Sequence, residues 1–151
     1  MNQLIEIITK DGSLSLRDLI IKEDFHNSSG ALKEARNKFI NPSNIERFRN
    51  GSVNVLDICF GLGYNSALFF NDLLTHSTKI IWYGLERDKR PLEYSLNNKS
   101  FKELWDLKIT TILTSLLFND FYKDDYFDCT LIWGDARKKI SKSGSQTSSF
   151  R

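Results

Sequence analysis

The chain has 151 residues, of which 40% are hydrophobic and 13% aromatic, so its length and apolar content allow one packed domain at most. Its 21 basic and 19 acidic residues nearly balance, so the overall charge indicates neither a nucleic-acid nor a membrane partner, and only a local basic patch stays open. The two cysteines, Cys59 and Cys129, lie far apart in the chain, which excludes a paired-cysteine metal site and favours buried thiols in a reducing cytoplasm.

The N-terminal part is predicted to contain a hairpin followed by a helix. Asp11 and Gly12 separate two strand-like runs, and Asp-Gly tolerates the positive φ angles of a tight turn. The segment NSSGALKEARNKFI has apolar residues at helical spacing, with Ser28 or Ser29 as the expected cap and Pro42 as the expected end. The start of the chain lacks the regions of a secretion signal, and no apolar run has the length of a membrane span.

Alternating strands and helices are predicted next. SVNVLDI is rich in Val, Leu and Ile, as in a strand buried on both faces of a parallel sheet. A glycine loop and the amphipathic segment NSALFFNDLLTH follow, then a second strand, KIIWYGLE, and a helix with Pro91 in its first turn. This order predicts an α/β fold with a right-handed, mainly parallel sheet.

The last third has a less regular pattern. LWDLKITTILTSLLFNDFY is apolar but ambiguous in period, and we interpret it as two short elements. YFDCTLIWGDAR is predicted to be a third strand that ends at Gly134 and Asp135, with a helix from about Ala136. From Ser141 the chain is rich in serine and almost free of apolar residues, which predicts disorder over residues 141–151.

The loop after the first parallel strand predicts a ligand site. Gly61 and Gly63 permit a sharp bend and close approach to a ligand, and the N-terminal amides of the next helix point to the same place. Such a site suits a pyrophosphate or the carboxylate of an amino-acid-like cofactor. Glu86, at the end of the second strand, is placed to accept hydrogen bonds from ribose hydroxyls.

Two cofactor classes fit this loop. A dinucleotide site requires a third glycine, and Ser66 stands at that position, which counts modestly against NAD or FAD. An acidic residue ahead of two glycines is instead the arrangement of S-adenosylmethionine methyltransferases. In that interpretation Asp57 faces the methionine amine, Glu86 holds the ribose, and Asp135 lies near the adenine amino group.

Five segments follow one another along the chain: TKDGSLSL, DFHNSSGALKEARNKFI, VLDICFGLGYN, LERDKRPL and LIWGDAR. Together and in this order they resemble the MnmC-like methyltransferase domain of the bacterial tRNA 5-methylaminomethyl-2-thiouridine biosynthesis enzyme, including its stand-alone forms. The resemblance extends from Ile8 to about Lys139. It implies a Rossmann-like fold, S-adenosylmethionine as cofactor and tRNA as partner, with methylation of the 5-aminomethyl group of a wobble 2-thiouridine.

The resemblance also implies two sets of site residues. The set expected to bind the cofactor consists of Asp57, Phe60, Gly61, Gly63, Asn65, Glu86, Arg87, Asp135 and Ala136. The set expected to close over cofactor or substrate consists of Asp11, Gly12, Ser13, His26 and Glu34. For His26, a capping or surface role is an equal alternative.

The sequence departs from that family in two places. Cys59 stands where the family has glycine. After the third strand, the family continues into a fourth strand with the aspartate expected to act as general base or to position the substrate amine. No such segment occurs here, so no catalytic residue is assigned. We therefore expect a truncated methyltransferase domain over residues 1–140, with a hairpin and helix in 1–50 and a Rossmann-like half in 51–140. An unpaired sheet edge would then favour self-association.

The sequence is compatible with three functions. They are a methyltransferase of tRNA modification, a non-catalytic remnant or binding module, and a methyltransferase of small amines. The clusters RDKR and ARKK either meet tRNA phosphates or are solvated helix termini.

Overall fold

The computed structural model describes residues 3–143 and forms two small sheets joined by helices. The strands are β1 (Leu4–Ile8), β2 (Leu14–Asp18), β3 (Glu23–Asp24), β4 (Ser52–Ile58), β5 (Lys79–Glu86), β6 (Phe121–Lys123) and β7 (Phe127–Trp133). The α-helices are α1 (Ala31–Ala35), α2 (Tyr64–Leu73), α3 (Arg90–Asn97), α4 (Lys99–Lys102), α5 (Leu107–Asn119) and α6 (Ala136–Ser143). Helix α6 includes the first residues of the predicted serine-rich tail, and residues 144–151 of that tail lie outside the described residues.

The predicted N-terminal hairpin is confirmed. Strands β1 and β2 pair antiparallel from Leu4 opposite Asp18 to Ile8 opposite Leu14, and the short β3 extends the sheet on the other side of β2. The hairpin is tied to the rest of the protein, because the Tyr64 hydroxyl donates a hydrogen bond of 3.0 Å to the Leu14 carbonyl. The hairpin therefore packs beside the first helix of the second sheet.

The predicted ends of the first helix were wrong. Gly30 is the N-cap of α1, and neither Ser28 nor Ser29 supplies the cap. The helical backbone also continues past α1 as a π-helical turn over Arg36–Ile40 and a 3-10 turn over Asn41–Ser43. Pro42 lies in the first turn of that 3-10 helix, where its missing N–H leaves no hydrogen bond unmade.

The second sheet has the strand order β4-β5-β7-β6 and confirms the predicted mainly parallel α/β arrangement. Strands β4, β5 and β7 are parallel, and β6 is an antiparallel edge. One face of the sheet packs against helices around an aromatic centre, where Phe70 lies 5.9 Å from Trp82 and 5.6 Å from Phe127 between ring centroids. The ends of the parallel strands therefore meet at one edge, beside the start of α2.

The segment LWDLKITTILTSLLFNDFY contains two elements as predicted, α5 and the start of β6, but the first is a long helix and not a short element. Helix α5 runs for 13 residues, and its N-cap is Asp106, whose side chain accepts a hydrogen bond from the Lys108 amide. Buried residues recur at helical spacing along it, namely Ile109, Ile112, Leu113 and Leu116. The threonines and isoleucines of this segment also favour strands, which obscured the helical period in the sequence.

The other face of the second sheet is open to solvent. It exposes apolar side chains on β4 and β5, namely Leu56, Ile58, Ile81 and Tyr83. The outer edge of β4 pairs with no strand among residues 3–143. None of the helices in that range is long and apolar enough to cross a membrane.

Candidate functional site

The predicted glycine loop connects β4 to α2 and turns through three residues with positive φ, Cys59, Gly61 and Gly63. Gly63 is the N-cap of α2, and a Cβ there would lie 3.0 Å from the Phe60 ring. Phe60, which we predicted to contact cofactor, is 4% exposed and packs beneath the loop against Trp82. It lines the cavity described below but mainly supports the loop from the core side.

Glu86 fixes the same loop from the neighbouring strand. Its Oε2 accepts a hydrogen bond of 2.8 Å from the Gly61 amide, and its Oε1 accepts from the amides of Arg87 and Asp88. A carboxylate has about four lone-pair positions, so these three bonds leave one acceptor position for a ligand hydroxyl. The predicted role of Glu86 toward a ribose is therefore compatible with its role in bracing the loop.

Asp57 lies near the end of β4, two residues before the loop. Its Oδ2 accepts a hydrogen bond of 2.6 Å from the Ser66 hydroxyl, whereas its Oδ1 accepts none from residues 3–143. Burial raises the pKa of Asp57, the Ser66 hydrogen bond lowers it, and the nearby charge of Glu86 raises it further. The carboxylate is thus short of a positive partner.

Two cavities meet at the glycine loop. The first has a volume of about 560 Å³ and includes Asp57, Gly61 and Asn65 in its lining. Its remaining lining is largely apolar, and includes Phe39, Ile40, Val55 and Phe69. The second cavity, of about 390 Å³, lies beyond Glu86. Cys59 lines both cavities, so they adjoin around its exposed side chain.

The second cavity is lined by residues that follow the second and third parallel strands. Glu86 and Arg87 come from the end of β5, and Asp135 and Ala136 follow β7. Asp135 is already engaged, because Arg137 donates hydrogen bonds to both of its carboxylate oxygens. These bonds lower the pKa of Asp135 to about 2. A ligand would have to share this carboxylate with Arg137.

The predicted lid residues divide into two groups. His26 and Glu34 line the first cavity. The His26 ring is half-buried, shares a hydrogen bond of 3.0 Å with the Ser15 hydroxyl through Nδ1, and packs edge-on against Tyr64. Burial lowers the pKa of His26, although the charges of Glu34 and Asp11 oppose that change, so the ring is neutral at pH 7. Glu34 accepts a hydrogen bond from the Asn27 amide and pairs with Lys38.

Asp11, Gly12 and Ser13 lie outside both cavities, and Asp11 and Ser13 instead accept hydrogen bonds from the first amides of α1. The Ser13 hydroxyl accepts hydrogen bonds from the amides of Ala31 and Leu32 and donates to Asp11. Asp11 Oδ2 accepts from the Lys33 amide at 2.9 Å. Burial acts to raise the pKa of Asp11, but hydrogen bonds from Ser13, Lys33 and Thr9 hold it at about 2.

Two residues beside this site were not predicted from the sequence. Ser66 appeared only as the absence of a third glycine, and Trp82 only as part of a buried strand. The structure joins them, because the Trp82 indole N–H donates a hydrogen bond of 2.7 Å to the Ser66 hydroxyl. A polar residue where a glycine is expected was the available signal. Within residues 3–143, no group of three or more His, Cys, Asp or Glu side chains is placed to hold a metal ion.

No protein-family model matches this chain, whereas a curated relative and a solved structure do. The chain is 34% identical over 142 residues to the uncharacterized protein MJ0670 of Methanocaldococcus jannaschii, covering 89% of this chain and 37% of that protein. The crystal structure of MnmC2 from Aquifex aeolicus superimposes with a TM-score of 0.74 at 24% identity, covering 98% of this chain and 46% of that one. The chain thus spans less than half the length of either protein. It shares the fold of part of MnmC2, a mixed α/β fold with a mainly parallel sheet.

Proposed function

We propose that this chain binds S-adenosylmethionine at the glycine loop. Asp57 carries the proposal, because its free Oδ1 belongs to a half-buried carboxylate at the first cavity and suits a cationic amino group. The amides at the start of α2, beside Gly63, suit the carboxylate of the same amino acid. A pyrophosphate would instead place negative charge against Asp57, which disfavours a dinucleotide.

The adenosine part of the cofactor fits the second cavity. Glu86 retains one acceptor position for a ribose hydroxyl, and Asp135 and Ala136 border the same space. The two cavities adjoin at Cys59, so a ligand that passes over the glycine loop spans both of them. In this proposal the methionine and adenosine parts lie on opposite sides of Cys59.

Calorimetry with S-adenosylhomocysteine tests cofactor binding. We expect the protein to bind this product, and Asp57→Asn to weaken the affinity at least about tenfold, because one hydrogen bond to a charged group is lost. Asp11→Asn is the matched control, since Asp11 lies outside both cavities, and it should bind like the wild type. A folded wild-type protein that binds no S-adenosylhomocysteine would contradict the proposal.

We further propose that the methyl acceptor is the 5-aminomethyl group of a wobble 2-thiouridine in tRNA. The ordered motifs and the fold shared with MnmC2 support this substrate. The cationic clusters support it less, because Arg90 pairs with Asp88, Arg137 with Asp135, and Lys89 lies 3.7 Å from Asp120.

Labelled S-adenosylmethionine separates the three functional alternatives. Transfer of label to tRNA that carries 5-aminomethyl-2-thiouridine, and not to free amines, is the expected result. Transfer to small amines alone would identify a small-amine methyltransferase. Cofactor binding without transfer to either acceptor would identify a non-catalytic binding module. A cytoplasmic location is part of the proposal, and the free thiols of Cys59 and Cys129 are compatible with it.

We also propose that two copies associate through the outer edge of β4. Strand β4 ends the sheet on that side, and Leu56 and Ile58 are 59% and 45% exposed. Light scattering should give the mass of a dimer, and Leu56→Lys should reduce it to a monomer. Leu107→Lys is the control, since Leu107 is 80% exposed on α5, away from this edge. A monomeric wild type would contradict this proposal.

A further inference from the structure

The geometry points to Ser66 and Trp82 as positioning residues for Asp57, which make the site select ligands with a cationic amino group. This inference rests on the proposed cofactor site and adds the residues that determine its specificity. The hydrogen bonds run in a chain from the Trp82 indole to the Ser66 hydroxyl and on to Asp57 Oδ2, with distances of 2.7 and 2.6 Å.

The direction of this chain follows from the chemistry of the indole. The indole nitrogen only donates, so the Ser66 oxygen accepts there. A serine hydroxyl has a single hydrogen, and this arrangement directs it to Asp57 Oδ2. The bond is charge-assisted and therefore favours the ionised carboxylate. Ser66 thus has one stable orientation, in which it stabilises negative charge on Asp57.

The indole itself is held by close packing. Trp82 is fully buried, with ring centroids of Phe60 and Phe70 at 5.3 and 5.9 Å. Gly84 leaves the space that the indole occupies, since a Cβ at that position would lie 2.1 Å from the ring. Ser66 is 3% exposed, and its hydroxyl contacts Trp82 and Asp57. The donor end of the chain is therefore fixed by the core.

The hydrogen bond from Ser66 determines which oxygen of Asp57 is available to a ligand in the first cavity. With Oδ2 held by Ser66, Oδ1 is the carboxylate oxygen left to bind a ligand. In dinucleotide sites the glycine at this position allows close packing of helix on strand and offers no hydroxyl. Ser66 instead supplies a donor that stabilises the charge of Asp57, and this charge favours an ammonium group at Oδ1. These hydrogen bonds act only through Asp57, so they should affect the affinity only of ligands that have a cationic amino group.

The experiment compares two ligands on two proteins by calorimetry. S-adenosylhomocysteine has the amino-acid part, and 5′-methylthioadenosine retains the adenosine and thioether but lacks it. We expect Ser66→Ala to weaken S-adenosylhomocysteine binding about tenfold and 5′-methylthioadenosine binding less than about twofold. We also expect the pH below which S-adenosylhomocysteine affinity falls to move upward by about one unit in Ser66→Ala, because the pKa of Asp57 rises when the donor is lost.

A second variant guards against misfolding, since Ser66→Ala leaves the buried Trp82 N–H without a partner. Ser66→Ala combined with Trp82→Phe removes both polar groups, and we expect it to show the same selective loss as Ser66→Ala alone. Equal losses for both ligands, or an unchanged pH profile, would overturn the positioning role while the cofactor site stands. A wild type that binds 5′-methylthioadenosine but not S-adenosylhomocysteine would also overturn it. A wild type that binds neither would overturn the proposed function and this inference together.

Discussion

Two regions of this protein use the same residue types for different purposes. In the hairpin, Asp11 and Ser13 lie against the start of α1, and both oxygens of Asp11 accept hydrogen bonds. At the glycine loop, Asp57 and Ser66 lie against the start of α2, and only one oxygen of Asp57 is used. Hydrogen bonds hold the pKa of Asp11 at about 2, whereas burial raises the pKa of Asp57. A saturated carboxylate thus belongs to the scaffold, and an unsaturated one indicates a binding site.

The largest expected effect concerns the scaffold, at Gly30. This residue has a φ of 150°, and a Cβ there would lie 2.0 Å from the Asp11 carboxylate. Gly30→Ala should therefore displace the cap and strain the backbone, with a loss of about 3 kcal/mol in unfolding free energy. Gly12→Ala is the matched control, because Gly12 also has a positive φ but a Cβ there would meet no atom within 4 Å. It should cost only about 1 kcal/mol. Urea unfolding measures both variants. Equal losses in unfolding free energy would show that displacement of the cap does not cause the effect of Gly30→Ala.

The next effect is the pH dependence of the cap. Asp11→Asn should lower the unfolding free energy at pH 7 by about 1–2 kcal/mol, the range for a lost helix cap, with solvent screening limiting the charge contribution. The folded-state pKa of about 2 is below the usual 3.8, so the charge of Asp11 stabilises the fold above about pH 4. The difference from wild type should therefore shrink between pH 4 and pH 2. Urea unfolding at several pH values checks this, and a difference that stays constant with pH would contradict it.

Asp57→Asn should change the unfolding free energy in the opposite direction to Asp11→Asn. A pKa raised in the folded state means that the contribution of Asp57 is fully present at low pH and is lost as pH rises through that value. The ionised carboxylate therefore costs stability at pH 7, and its replacement should raise the unfolding free energy by under about 1 kcal/mol. Asparagine retains an oxygen that accepts from Ser66. Thermal unfolding without ligand measures the change. A loss comparable to that of Asp11→Asn would assign Asp57 to the scaffold.

The sequence predicted the parallel strands and the glycine loop for a common reason. Each depends on a local pattern, such as the apolar run before Asp57 or the glycine pair after it. The cap of α1 was not predictable in this way, because Ser13 reaches Ala31 across 18 positions of the chain. The bond between Ser66 and Trp82 joins residues 16 positions apart, and depends on the register of β5 beside α2. Long-range hydrogen bonds of this kind are set by packing, which no local pattern records.

The smallest expected effect lies at Cys59, a non-glycine residue at positive φ in the glycine loop. Gly61 and Gly63 serve the other positive φ positions of this loop, but Cys59 has a φ of 63°. A side chain in this region costs about 1–2 kcal/mol, and glycine costs about 0.5–1 kcal/mol in unfolded-state entropy.

Cys59→Gly should therefore raise the unfolding free energy by about 0.5 kcal/mol. Because Cys59 lines both cavities, the smaller residue should also strengthen S-adenosylhomocysteine binding, by about twofold for relief worth a few tenths of a kcal/mol. Cys59→Ala retains the Cβ and should change neither quantity, so it separates backbone strain from loss of the thiol. If Cys59→Ala and Cys59→Gly gain stability equally, the thiol group is the source of the cost and the loop has no need of glycine at this position.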